Sequence, residues 1–123
     1  MNWVVAADGK RIFHGGDTVF YGYWWLIANR LGPFDAAFLP INGAVVDFPH
    51  LRPASPLPAD LTPEQAVVAG TILQARQVIP IHYGIRVPPF YVEVDDPATA
   101  FQQAAKKYDM ATTMLAPGEA IDI

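Results

Sequence analysis

Asp35-Ala36-Ala37-Phe38-Leu39-Pro40-Ile41 is a nearly continuous apolar run, and it constrains the fold more than any other stretch of the chain. A half-buried strand alternates apolar and polar residues, whereas a strand covered on both faces does not. The run therefore predicts a central strand in a layered α/β arrangement. A second short apolar run, Gln77-Val78-Ile79-Pro80-Ile81, ends in His82-Tyr83-Gly84. Near the start, Trp3-Val4-Val5-Ala6 and Lys10-Arg11-Ile12-Phe13 flank Ala7-Asp8-Gly9, and Asp-Gly between two apolar runs signals a hairpin.

The second hairpin strand leads straight into His14-Gly15-Gly16-Asp17-Thr18. Glycines there let the backbone turn sharply and let an ion or ligand come close, so Asp17 projects from a strand end into a loop. His82 ends its own strand in the same way. In layered α/β proteins strand-end loops share one edge, where sites are built. Asn42-Gly43-Ala44 is expected on that edge too, with Asn42 either touching substrate or closing a turn. Read alone, Asp17 could simply cap the following turn, and His82 could be a core histidine.

Dense aromatics follow Asp17. Of these, Tyr21, Tyr23 and Trp24 are the candidates for touching a ligand, with core or interface packing as the alternative. The stretch is expected to become a short helix stopped by Gly32-Pro33. From Val45 to Asp60 the chain is too rich in proline for a regular element and reads as a lid or binding loop, with His50 and Arg52 as its polar handles. An arginine there could pair with a phosphate or carboxylate.

Thr62-Pro63-Glu64-Gln65 opens the clearest helix, with a Thr62 cap, proline at the first position and a capping-box glutamine, running to about Arg76. Arg86 to Tyr91 reads as a rigid rim beside the His82 strand end. Asp96-Pro97 starts a last helix with Phe101, Ala104, Ala105 and Tyr108 as its apolar stripe. Ala111–Leu115 and Glu119–Ile123 read as closing strands.

With 123 residues the chain is expected to be a single domain, 1–123. Cysteine is absent, so a metal site must use histidine, carboxylate and water. A formal charge of −4 without Lys/Arg clusters argues against a nucleic-acid groove or an anionic membrane surface. No apolar run approaches the ~20 residues of a membrane span, and the start lacks signal-peptide features, so a cytoplasmic protein is expected. A mean hydropathy of +0.20 is high for this length and suggests an apolar face meant for another chain.

Taken together, Ile12-Phe13-His14-Gly15-Gly16-Asp17-Thr18, Gly32 to Ile41, Leu61 to Ala66, Ile79-Pro80-Ile81-His82-Tyr83-Gly84 and Leu115 to Glu119 resemble the metallo-β-lactamase-fold hydrolases. Within them, the likeness is to the lactonase-like and phosphodiesterase-like branch. The blocks match the C-terminal half of the family domain; the His-x-His-x-Asp-His motif of its N-terminal half is absent. The resemblance implies half of an αββα sandwich, with a mixed sheet and helices on one face. It also implies metal-ligand roles for Asp17, which would bridge two ions, and for His82, with His14 as a further candidate. No catalytic residue is assigned beyond them. The implied cofactor is a divalent metal, zinc first and manganese second, which the isolated chain could lack because two ligands are fewer than a catalytic site takes. The implied activity is metal-dependent hydrolysis of a small-molecule lactone or phosphoester, with a homodimer or the missing N-terminal half completing the site. The alternative is a non-catalytic interaction module or a truncated fragment.

Overall fold

The computed structural model describes residues 1–123. Strands β1 (Trp3–Ala7) and β2 (Lys10–His14) form the expected antiparallel hairpin. At its turn Asp8 and Gly9 have φ of 50° and 75°, the left-handed backbone that Asp-Gly tolerates. Strand β3 (Ala36–Pro40) lies parallel to β2 on one side and to β5 (Val78–Ile81) on the other. The sheet order is β1-β2-β3-β5, so the continuous apolar run is an interior strand as expected.

Helices α1 (Trp24–Leu31), α2 (Pro63–Ile72) and α3 (Pro97–Lys107) supply the rest of the core. The in-register row Phe13, Ala37 and Val78 belongs to one buried cluster with Trp24 of α1, Ala66, Val67 and Ala69 of α2, and Phe101, Ala104 and Ala105 of α3. Side chains alternate across a strand, so the neighbouring positions point to the other face. There, toward the hairpin, Trp3 and Val5 remain 62% and 57% exposed, and His14 stacks on Phe38. Helices on one face and an open apolar face on the other fit the expected half-sandwich.

Thr62 caps α2 through Gln65, and the reciprocal capping-box bond is present. The helix stops at Ile72, short of Arg76, because Gln74 adopts a left-handed φ of 55° and the Ala75 amide turns back to the Gly70 carbonyl. Two other expectations are corrected. The proline-rich segment begins with a short strand β4 (Val45–Val46), paired antiparallel with β6 (Tyr91–Val92) in a second small sheet. The chain end forms no closing strands: Thr112 makes a single bridge to Val78, and Pro117-Gly118 follows in a turn. No helix is long and apolar enough to cross a membrane.

Candidate metal centre

The parallel strands β2, β3 and β5 all end at one edge, and each hands the chain to a polar loop there. Past β2, Gly15 donates its amide to the Phe38 carbonyl, and Gly16 turns at a φ of 59° to present Asp17. A side chain on Gly15 would meet Leu39 Cδ2 at 3.0 Å and the Phe38 carbonyl at 3.3 Å, so a larger residue enters only if these neighbours give by a few tenths of an ångström. Past β5, His82 takes a left-handed φ of 54°, uncommon outside glycine, and this swings its ring toward Asp17.

His82 Nε2 lies 2.8 Å from Asp17 Oδ1 and 3.9 Å from Asp60 Oδ2. One donor atom from each of Asp17, Asp60 and His82 falls within 4.8 Å of the others. Their exposures are graded: the Asp17 side chain is 74% exposed, His82 30% and Asp60 7%. The cluster thus has a buried floor and an open top.

Asp60 is a site residue that sequence reasoning missed. It sits two residues before the Thr62 cap, at the end of the proline-rich segment, where the start of α2 returns the chain to the strand-end edge. No local signal marks it: an acidic residue before a capped helix is common, and only the return of the chain at α2 brings this one to the edge.

Asn42 is completely buried and organises this floor. Its side-chain amide donates at 2.8 Å to Asp60 Oδ2 and at 2.8 Å to the His82 carbonyl, and its Oδ1 accepts from the Ala44 amide. It therefore closes a turn, one of its two expected roles, and also fixes two members of the cluster. Glu93, also buried, accepts hydrogen bonds from the Gly84 and Ile85 amides and pins the loop leaving His82. Tyr91 stands nearby. Burial pushes its phenol up, and the charges of Glu93, Asp60 and Asp17 push the same way.

The other expected site residues are dispersed. The His14 Nδ1 accepts from the Gly16 amide and its ring stacks on Phe38, outside the three-residue cluster. Trp24 is corrected to a core residue: it has no exposed surface and packs edge-on against Phe13, because α1 turns that position toward the sheet. Tyr21 accepts from the Asn2 side chain and packs on Trp24, while Tyr23 is 65% exposed. His50 stacks on Phe48 in the proline-rich loop. Arg52 is engaged by Asp47 and by the carbonyls of Phe48 and Leu51, so its guanidinium serves the loop itself.

The cluster fits a divalent cation on an observation of its own. Asp60 Oδ1 is buried without any hydrogen-bond partner, and a buried carboxylate oxygen left bare is costly unless a positive group faces it. Two carboxylates and an imidazole are a donor set that zinc or manganese accepts.

Comparison with known proteins gives the family. A model of the beta-lactamase superfamily domain matches residues 1–83. The UPF0173 metal-dependent hydrolase of Thermococcus kodakarensis is 31% identical over 121 residues, covering 98% of this chain and 45% of that protein. A second, from Geobacillus, is 35% identical over 118 residues, covering 96% of this chain and 42% of that protein. The chain thus spans less than half the length of the curated relatives it matches. Among solved structures, the metallo hydrolase Igni18 of Ignicoccus hospitalis superposes with a TM-score of 0.67 at 27% identity, over 96% of this chain and 43% of its own.

Proposed function

Because the chain belongs to the beta-lactamase superfamily, we propose that Asp17, Asp60 and His82 hold a divalent metal in a hydrolase acting on a small lactone or phosphoester. The observation that carries this reading is the meeting of three metal-competent donors, one of them a buried aspartate with an unpartnered carboxylate oxygen. A divalent cation held there supplies a Lewis acid toward a carbonyl or phosphoryl oxygen and brings the pKa of a bound water to about 7.

The chain's own residues prepare that site. Asn42 holds Asp60 Oδ2, the oxygen 3.9 Å from His82 Nε2, so the carboxylate cannot rotate away. The same Asn42 grips the His82 carbonyl, and Glu93 fixes the two amides beyond it, which sets the direction of the imidazole. Asp17, largely exposed, covers the open side where substrate arrives. Tyr23, which is exposed, and the half-buried Tyr21 follow it in the chain and are the remaining candidates for an apolar contact with substrate.

Three protein donors leave the centre open for a further contribution. A second copy of the chain docked on the uncovered face around Trp3, Val5 and Phe38 is the arrangement we favour. The exposed apolar side chains support it, since burying them stabilises by about 25 cal/mol per Å² of apolar area. The greater length of the relatives favours a second reading, in which a separate segment takes that face.

Zinc and manganese titrations of the purified chain, followed by assays with lactones and bis(p-nitrophenyl) phosphate, test the proposal. Metal-dependent turnover lost in Asp17→Ala supports it. A chain that takes up no metal and turns over neither substrate class contradicts it and leaves an interaction module.

A further inference from the structure

The segments that carry Asp17 and Asp60 run side by side, because the Leu61 amide donates to the Thr18 carbonyl. Next to this contact lies a cleft of about 330 Å³. Val19 and Phe20, which follow Asp17-Thr18, line it together with Leu57 and Pro58, which precede Asp60, and Asp60 and Gln65 complete the lining. Asp60 thus belongs both to the cleft and to the metal centre, where its Oδ2 lies 3.9 Å from His82 Nε2.

The lining is mostly apolar and is held in place without a ligand. Phe20 packs on Trp24 and edge-on against Trp25, and Gln65 is fixed by its capping-box bonds to Thr62. Proline at position 58 fixes its own backbone φ. A second hollow of about 280 Å³ continues past Phe20 and Gln65 to Val68 and Tyr108. Preformed, largely apolar clefts of roughly 300 Å³ and more are the usual shape of small-molecule sites. A protein partner would need about 800 Å² on each side, far more than this cleft offers, so its occupant is one substituent of a small molecule. Sharing Asp60 with the metal centre makes that substituent part of the molecule bound there.

We propose that the cleft takes a short unbranched alkyl chain of the substrate whose phosphoryl or carbonyl group is held at Asp17, Asp60 and His82. The substrate class is then amphiphilic, with a polar head to hydrolyse and an apolar tail laid between Val19-Phe20 and Leu57-Pro58. The inference rests on the metal-site reading above and adds the tail to it.

Methyl-, butyl- and octylphosphonate, titrated into zinc-loaded protein by calorimetry, test it, the phosphonate standing in for the substrate's head. From methyl to butyl, affinity rises about fourfold per methylene, the worth of burying one CH2. Leu57 is 71% exposed, so Leu57→Asp spares the core. In that variant the ratio of octyl to methyl affinity falls about tenfold, since the apolar wall has gained a charge. Methyl-resolved NMR places the octyl-specific shifts on Val19, Leu57 and Val68. Equal or absent binding across the series, or octyl-specific shifts that lie elsewhere and persist in Leu57→Asp, overturns the inference alone. Wild type that takes up no zinc overturns the metal-site reading and the tail site with it.

Discussion

Asn42 joins more of the site than any residue that would touch the metal. It bonds Asp60, the His82 carbonyl and the Ala44 amide at once, entirely out of solvent. Asn42→Ala strips partners from a buried carboxylate and a carbonyl, so the variant is expected to lose about 1–3 kcal/mol of stability in denaturant melts. Metal affinity is expected to fall about 10- to 100-fold with it, because Asp60 and His82 lose their fixed direction. The meeting of Asp17 and His82 was legible in the sequence because each follows an apolar strand in a glycine-containing loop. Asp60 was not, because its position comes from the way α2 brings the chain back to the edge, and no local pattern encodes that return. Trp24 misled for the opposite reason: nearness to Asp17 in sequence says nothing about which side of α1 faces the sheet.

The elements that carry these residues are held together by close backbone approach and by caps. Gly70 of α2 lies so near β5 that a methyl group there would overlap Val78 Cγ2. Gly70→Ala is therefore expected to destabilise by about 1–3 kcal/mol despite alanine's better helix propensity, and calorimetric melting checks the sign. At the opposite end of the sheet, Asp35 ties the hairpin to β3. The Arg11 amide bonded to its carboxylate holds its pKa below the ordinary aspartate value, with the side chains of Arg76 and Lys10 adding to this. A carboxyl depressed by folding contributes stability above its unfolded pKa and loses it as pH falls through the folded one. Wild type and Asp35→Asn should thus differ in stability at neutral pH and converge in acid melts. The hairpin, the central strand and both capped helices were readable because turn residues, apolar runs and caps act within a few residues. Strand β4 was hidden by the prolines that follow it, and the supposed strands at the chain end fail because they find only the single bridge at Val78.

For the whole molecule, the sheet carries helices on one face and exposed apolar side chains on the other. The high mean hydropathy had pointed to such a face without locating it; the register places it around Trp3 and Val5, opposite the row of Phe13 and Ala37. If a second copy docks there, light scattering finds a dimer in wild type and a monomer in Val5→Lys, whose charge would be stranded at the contact. A monomeric wild type would favour docking of a separate segment instead. The most direct test of the central claim is metal content per chain on size-fractionated protein after exposure to zinc, for wild type and Asp60→Asn. Zinc is expected to co-elute with wild type and to be lost from Asp60→Asn while the variant stays folded. Zinc retained equally by both proteins, or absent from wild type, would contradict the claim.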